Sequence, residues 1–371
     1  MSSKTGEAIH QGWGQSIKTW RRNNRRRLNR LLARLVGRTT AAPAALSDDT
    51  RRIVVIRLNK RLGNILFLTP MLRSLAATLP AARIDVVIQD RAQVKLLESL
   101  PGIGRVWVQD TTVMGILRLL RRVRREKYDL AIDPSGNSAS NRLAMALSGA
   151  RQRMGFAGQD QWLSLTHASP RASSSHQAIK SVELLTGAIA DRRIETFDTL
   201  AVFPDERAGA AAEQYWQDAL GARADGRPVI GFFARATGRK QLPRHWWQAW
   251  AAAMQAAAPD AVLLEILPGK DAQPVSKSLA SVAIKPLDEL SATLAKLDVF
   301  VAADSGPMHL AAASGIPVVG LFKATSPAAY APLGQDCISL ENDALTDHGV
   351  AQAVAERLPR HRAARVSSST A

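Results

Sequence analysis

The residues best suited to chemistry follow a strand-like apolar run that ends at Asp304. Ser305 and Gly306 make a turn there, and Pro307 is suited to the first turn of a helix. The free N–H groups at such a helix N-terminus suit a diphosphate, and His309 lies near the same end. Because a carboxylate repels a phosphate, we expect Asp304 to accept hydrogen bonds from a sugar or ribose hydroxyl, or from N–H groups of the turn. The alternative is an ordinary strand–turn–helix connection with Asp304 as a cap.

A second candidate loop follows the apolar run 229–234. It places Thr237, Arg239 and Lys240 at the carboxyl end of another predicted strand. Hydroxyl and ammonium groups fit phosphate oxygens, although a basic loop alone is weak support. The chain has no dinucleotide fingerprint, no P-loop, no nucleophile elbow and no Cys/His cluster with metal spacing, so we expect neither a metal nor a cofactor.

Strand-like and helix-like segments alternate in two series, which must position these loops. The first series runs over residues 52–133 and the second over 229–322. Such alternation predicts an α/β fold with two facing Rossmann-like domains, each built on a parallel sheet, and a ligand cleft between them. Three further elements are expected: one helix over 62–79, a strand over 199–203 and a weak helix over 271–280.

The predicted division of the chain has four parts. These are a basic amphipathic extension (1–50), an N-terminal Rossmann-like domain (51–205), a C-terminal Rossmann-like domain (206–345), and a C-terminal helix with a disordered tail (346–371). No apolar run approaches the length that spans a bilayer. A single cysteine, Cys337, forms no internal disulfide and fits a reducing compartment.

Positive charge is concentrated near the start of the chain. The net charge is +17, and residues 1–52 hold twelve Lys or Arg against three acids. Leu28, Leu31, Leu32 and Leu35 have helical spacing, so a basic helix on an anionic membrane surface is one interpretation. A solvated extension is the second. Nucleic-acid binding is the third, and it is disfavoured because the charge lies outside the predicted sheets and no recognition motif is present.

A second basic run, residues 118–127, alternates with apolar residues and predicts an amphipathic helix. A solvated helix face is the simpler interpretation. The alternative is that this helix faces an anionic membrane or a phosphorylated acceptor.

Several segments together resemble one known family. The chief match is Asp-Ser-Gly-x-x-His-Leu-Ala-Ala-Ala over 304–313, followed by Pro317 and the run Phe322, Thr325, Pro327. The opening block matches through Leu62-Gly63, Thr69-Pro70 and Leu-Arg-Ser-Leu. The middle segments 128–133 and 153–156 are also similar, and His176 heads a helix. Over residues 52–335 the chain resembles glycosyltransferase family 9, which contains the lipopolysaccharide heptosyltransferases.

The resemblance implies a GT-B fold and an inverting, metal-independent enzyme. It implies transfer of a sugar, commonly heptose from ADP-heptose, to a lipopolysaccharide core or lipid A-linked acceptor. The same resemblance assigns the acceptor to the N-terminal domain (51–205) and the nucleotide sugar to the C-terminal domain (206–345). The implied localisation is the cytoplasm, with the enzyme attached peripherally to the inner membrane. For donor binding it implicates Thr237 and Lys240 at the diphosphate, Asp304, Ser305, Gly306 and His309 at the phosphates and sugar, and Asp271 at the ribose.

One position departs from the family pattern. The family's Gly-Asp, whose Asp is thought to be the general base, is Gly63-Asn64 here. An amide cannot take up a proton, and base catalysis is worth roughly 10²–10⁴-fold. Three interpretations stay open: Asp133 serves as the base, leaving-group stabilisation by Lys240 and the helix N-terminus drives the reaction, or the chain is a slow or inactive member that binds nucleotide sugar or glycolipid.

Overall fold

The computed structural model describes residues 42–110, 112–136, 138–158 and 165–358 of the chain. The predicted basic helix within residues 1–50 and the predicted tail beyond residue 358 lie outside the described residues. Within the described part, no helix is long and apolar enough to cross a bilayer.

The N-terminal lobe is built on a six-stranded parallel sheet in the order β3-β2-β1-β4-β5-β6. Its strands are β1 (Arg52–Ile56), β2 (Arg83–Ile88), β3 (Ile103–Val108), β4 (Leu130–Asp133), β5 (Gln152–Phe156) and β6 (His167–Ser169). The central strands are nearly continuous apolar runs because helices cover both faces of a parallel sheet. β5 and β6 were not predicted, since their short sequences carry Gly, Gln and His.

In the described residues of this lobe, the α-helices around the sheet are α1 (Leu62–Leu66), α2 (Thr69–Thr78), α3 (Val94–Glu98), α4 (Val113–Arg125), α5 (Ala139–Leu147) and α6 (Gln177–Ala188). Side chains of α2 and α6 pack with Ile53 and Val55 of β1. Side chains of α4 and α5 pack with Val54 and Ile56 on the opposite face. This alternation along β1 follows from the period of two in a strand.

The C-terminal lobe repeats the architecture with the sheet order β12-β11-β10-β7-β8-β9, also parallel throughout. The strands are β7 (Val229–Phe233), β8 (Val262–Leu267), β9 (Ala280–Ala283), β10 (Val299–Ala303), β11 (Val318–Phe322) and β12 (Ile338–Glu341). The helices are α7 (Glu206–Ala219), α8 (Arg244–Ala257), α9 (Leu287–Leu294), α10 (Gly306–Ala313), α11 (Pro327–Tyr330) and α12 (Asp347–Ala355). Two facing parallel sheets confirm the predicted fold class.

The predicted helix over 62–79 is wrong in one respect, because it is broken into α1 and α2. Pro70 has no N–H with which to bond the carbonyl of Leu66, as a continuous helix would require. The Thr69 hydroxyl donates to that carbonyl instead, at 2.8 Å. The break lets α1 leave the sheet and reach the other lobe.

The predicted strand over 199–203 is wrong too, since this segment is an extended linker outside both sheets. The N–H groups of Leu200 and Val202 donate to carbonyls of the C-terminal lobe, at 3.2 and 3.0 Å. Those of Ala201 and Phe203 donate to the hydroxyls of Thr69 and Ser99 in the N-terminal lobe, at 3.2 and 3.0 Å. An extended backbone points alternate N–H groups in opposite directions, so this linker is bonded to both lobes in turn.

The predicted weak helix over 271–280 is also wrong, because this range is irregular up to residue 279 and residue 280 begins β9. Pro274 interrupts a helical hydrogen-bond ladder. The next N–H, that of Val275, donates to the buried carboxylate of Glu265 at 2.6 Å. A side chain from β8 therefore takes the donor that a helix would have used.

Candidate functional site

Three side chains converge on the buried carboxylate of Asp304, at the carboxyl end of β10. Lys240 Nζ lies 3.3 Å from Oδ2, and the Thr325 hydroxyl donates to the same oxygen at 2.8 Å. His309 Nε2 lies 3.3 Å from Oδ1. The structure thus brings the predicted residues Lys240, Asp304 and His309 together. Thr325 was not among the predicted site residues, although its place just after β11, the strand next to β10, put it at the same sheet edge.

The neighbours of Asp304 stabilise the charged form of its carboxylate. Burial by itself would raise the pKa of Asp304, but hydrogen bonds from His309 and Thr325 and the charge of Lys240 lower it. Burial lowers the pKa of His309, and the neighbouring Asp304 only partly opposes that effect. Around neutral pH this arrangement is an ionised Asp304 beside Lys240, with a neutral imidazole next to it.

Two polar atoms of the turn have no hydrogen-bond partner. A neutral His309 that donates from Nε2 to Asp304 leaves Nδ1 as an acceptor, and this buried atom is unpartnered. The hydroxyl of Ser305 is likewise buried and unpartnered. Buried polar groups are normally satisfied, so these two atoms are positions where a ligand would gain hydrogen bonds.

The turn faces the other lobe across a close contact. A Cβ atom on Gly63 would lie 2.8 Å from His309 Cδ2, and one on Gly306 would lie 3.1 Å from Leu62 Cβ. The Phe67 ring packs edge-on against His309, with centroids 4.6 Å apart. α1 and the start of α10 therefore meet with glycine on each side. Asn64, next to Gly63 on α1, is half-buried beside this contact.

Other polar contacts join the lobes near the same place. The N-cap of α6 is His176, whose Nδ1 accepts from the N–H of Ala178 at 3.2 Å. With Nδ1 as acceptor, Nε2 carries the proton and donates to the Ala331 carbonyl at 3.0 Å. Lys95 and Asp288 pair across the lobes at 2.7 Å. These contacts fix the relative orientation of the two sheet edges.

Asp133 lies at the carboxyl end of β4, where its fully buried carboxylate is held from several sides. Arg142 Nε lies 2.8 Å from Oδ2, and the Asn141 amide donates to Oδ1 at 3.0 Å. The N–H of Ser135 donates to the same oxygen at 2.9 Å. Both oxygens of this carboxylate are therefore already engaged by neighbouring groups of the same lobe.

Thr237 and Asp271 are exposed on the loops that leave the neighbouring strands β7 and β8. Thr237 is the N-cap residue of the 3₁₀ turn Gly238–Lys240, and its side chain makes no capping hydrogen bond. Within the described ranges, no group of three or more His, Cys, Asp or Glu side chains could hold a metal ion.

A cavity of about 860 Å³ opens between the lobes at β3, the edge strand of the N-terminal sheet, and no residue of the Asp304 group lines it. Basic side chains from both lobes line it: Arg91, Lys95, Arg118, Arg122 and Arg207. Three acids, Asp110, Asp288 and Glu289, also line it. Apolar side chains complete the lining, among them Val106, Trp107 and Leu119, so charged groups stand beside an apolar wall.

Comparisons with known proteins agree with this arrangement. The family model described as Glycosyltransferase family 9 (heptosyltransferase) matches residues 116–352. No curated protein matches the chain in a sequence search. Among solved structures, a glycosyl transferase family 9 protein from Veillonella parvula is similar with a TM-score of 0.72 and 21% identity, covering 85% of this chain and 99% of that one.

Two structures from E. coli are similar as well. ADP-heptose lps heptosyltransferase II has a TM-score of 0.67 and 19% identity, with 84% of this chain and 99% of that one covered. Heptosyltransferase WaaC with ADP-2-deoxy-2-fluoro heptose has a TM-score of 0.61 and 14% identity, with 83% and 99% covered. The likeness confirms that the two facing sheets are those of the GT-B fold.

Proposed function

Because this chain belongs to glycosyltransferase family 9, we propose that it transfers heptose from ADP-heptose to a lipopolysaccharide core acceptor, without a metal and with inversion. The chain is a glycosyltransferase, and the choice of donor rests on the ligands named for its structural neighbours. The observation that carries the proposal is the convergence of Lys240, Thr325 and His309 on Asp304, in a turn that faces the other lobe.

On the donor side, we assign the diphosphate to Lys240, Thr237 and the N-terminus of α10. The ammonium of Lys240 and the free N–H groups of the helix oppose the negative charge that grows on the leaving group. The unpartnered hydroxyl of Ser305 donates to a phosphate oxygen. Gly306 lets the backbone approach, since it has no side chain.

Asp304 has a positioning part in this scheme. Its carboxylate orients Lys240 and fixes the His309 tautomer, so that Nδ1 is free to accept from a sugar hydroxyl. Asp271, on the loop after β8, is our candidate for the ribose hydroxyls. These assignments need the carboxylate of Asp304 to contact its three partners and not the phosphates.

The reaction has one bond-forming and one bond-breaking event. An acceptor hydroxyl attacks the anomeric carbon, the bond from that carbon to the diphosphate oxygen breaks, and ADP leaves with the electron pair. The hydroxyl proton passes to solvent water, which leaves a neutral oxygen in the new glycosidic bond. Asn64 cannot accept that proton, and Asp133 is held by Arg142, so we propose that leaving-group stabilisation supplies most of the rate and that Asp133 orders the acceptor lobe.

On the acceptor side, we propose that the cavity between the lobes receives anionic groups of the acceptor at its arginines. The enzyme would act at the cytoplasmic face of the inner membrane, where the basic segment within residues 1–50 would attach it to anionic lipid. Nucleic acid is not a proposed partner.

The test measures ADP release by the full chain with ADP-heptose and a deacylated lipopolysaccharide core as a water-soluble acceptor. We expect acceptor-dependent release, and an increase in kcat of about 10²-fold or more for Asn64→Asp if a base is missing. Asn59→Asp is the matched control, since Asn59 accepts from the Arg61 N–H and a carboxylate can do the same. The proposal would be contradicted if the chain showed no ADP release and no ADP binding.

One outcome would favour the second candidate, a catalytically weak protein that binds nucleotide sugar or glycolipid. In that case the chain binds ADP-heptose, shown by a rise in melting temperature, but releases no ADP. Asn64 is the observation that motivates this candidate. Activity regained in Asn64→Asp would then identify the lost base as its cause.

A further inference from the structure

Large apolar side chains are exposed on two neighbouring helices of the N-terminal lobe. The exposed fractions on α4 are 71% for Val113, 60% for Met114 and 41% for Leu117, and on α5 they are 47% for Leu143 and 39% for Leu147. In the part of the chain that the structure describes, one other large apolar side chain is exposed, in the linker. Clustered apolar exposure of this kind marks an interaction surface.

The exposed residues of α4 and α5 face the same way. Leu119 of α4 and Met145 of α5 are buried in one core cluster with Val54 of β1, so both helices cover the same face of the sheet. A Cβ on Gly149, just after α5, would lie 3.2 Å from Arg124 Cγ of α4, so the two helices are also close together. Their solvent-facing sides form one outer surface, which we call the α4–α5 face.

The charge on this face has a single sign. Five exposed arginines lie on α4: Arg118, Arg121, Arg122, Arg124 and Arg125. Neither helix contains an acidic residue. On the outer side of α4 the apolar residues occupy the first two turns, and the arginines follow. A helix surface with apolar and Arg-rich parts suits the boundary between acyl chains and anionic headgroups, because the headgroups attract each basic residue.

We propose that the α4–α5 face docks the folded N-terminal lobe on a bilayer that contains anionic phospholipid. The apolar residues enter the acyl boundary and the arginines lie at the headgroups. Self-association through the same face does not fit, since a two-fold contact would bring ten arginines together without an acid on either helix. The residues of this surface lie between positions 113 and 147 of the sequence, outside the basic segment within residues 1–50.

Docking in this orientation has a consequence that rests on the proposed function. Arg118 and Arg122 lie on the flank of α4 and line the cavity between the lobes. A bilayer on the α4–α5 face would therefore lie close to the mouth of that cavity. A lipid-linked acceptor could then present its sugars to the cleft while its acyl chains stay in the membrane.

The test uses the full chain with an environment-sensitive fluorophore on Leu117→Cys. Labelling at pH 7 is directed to the new cysteine, because burial raises the pKa of the Cys337 thiol to about 11. With vesicles of phosphatidylcholine and phosphatidylglycerol (3:1), we expect the emission of the label to shift to the blue and to be quenched by a bilayer-resident quencher. With vesicles of phosphatidylcholine alone, we expect neither change. Phe203→Cys, exposed in the linker, is the labelling control and should show no shift.

Three results would overturn the proposal. One is vesicle binding with no shift at position 117, which would assign docking to residues 1–50 alone. The second is absence of vesicle binding. The third is a label already blue-shifted without vesicles, which would show that another part of the chain, or a second copy if the shift depends on protein concentration, covers the face.

Charge reversal provides an independent measurement. Arg121→Glu with Arg125→Glu should weaken vesicle binding at least tenfold and abolish the shift at position 117, whereas Arg193→Glu with Arg223→Glu, also exposed, should change binding less than threefold. Equal effects of the two pairs would show that only net charge matters and would contradict a specific face. ADP release with the water-soluble acceptor is measured in parallel, so a failure of docking and a failure of sugar transfer are told apart.

Discussion

The contact between Gly63 and His309 makes a quantitative prediction about how the lobes close. In Gly63→Ala the new Cβ would lie 2.8 Å from His309 Cδ2, whereas ordinary contact begins at 3.4 Å. The lobes must therefore separate by about 0.6 Å, or His309 must move. The imidazole has little room, since it packs against Phe67 and its Nε2 lies 3.3 Å from Asp304.

Overpacking of this kind costs about 1–3 kcal/mol. If donor binding and transfer need the closed contact, kcat/KM for ADP-heptose should fall by roughly 5- to 150-fold, because 1.4 kcal/mol is a factor of ten. Initial rates of ADP release at varied donor concentration measure this change. Thermal unfolding, followed in parallel, should change little, because each lobe keeps its own core.

The matched control is Gly209→Ala on α7, where a new Cβ would meet nothing within 4 Å. Alanine is favoured over glycine in a helix by about 1 kcal/mol, so this variant should keep full activity and be slightly more stable. An unchanged kcat/KM in Gly63→Ala would refute the reasoning, since it would show that the closed contact has no part in the reaction.

Three further predictions concern single side chains. Lys240→Met should lower kcat by roughly 10²–10³-fold in the ADP-release assay if the ammonium stabilises the leaving group, while the exposed Lys277→Met should not. Asp133→Asn leaves the buried Arg142 without its counter-charge, so the free energy of unfolding in urea should fall by about 3–5 kcal/mol; an unchanged midpoint would contradict this. Buried His309 stays neutral in the folded state but takes a proton near its ordinary pKa of 6.5 when unfolded. The free energy of unfolding in urea should therefore decrease as the pH falls from 7.5 to 5.5, and it should decrease less steeply in His309→Gln. The same pH dependence in the unchanged chain and in the variant would contradict this prediction.

Part of the architecture follows from local pattern. The run at 299–303 is apolar enough to be a central parallel strand, and the residues that follow it, Asp304 to Pro307, have the cap, turn and first-turn chemistry that begin a helix. Both signals depend only on residues near in sequence. The alternation of such runs predicted two parallel sheets, and the structure confirms them.

Other elements depend on partners distant in sequence. β5 and β6 have little β propensity of their own and pair because β4 offers an open edge. The linker at Leu200 and Val202 alternates like a strand, yet its N–H groups bond to both lobes and to no strand. Residues 271–280 do not form a helix, because the N–H of Val275 donates to the carboxylate of Glu265.

For the site, two features were determined by the sequence alone. It showed which loops carry charged side chains and hydroxyls, and it showed that position 64 is an asparagine and has no carboxylate. Only the tertiary structure decided how they meet: Thr325 completes the group around Asp304, Asp133 is held by Arg142, and Gly63 touches His309 across the lobes. The physical reason is range. Turn and strand preferences are set by immediate neighbours along the chain, whereas each of these contacts joins different elements of the fold, and Gly63 and His309 lie about 250 positions apart in different lobes. No local pattern encodes such contacts.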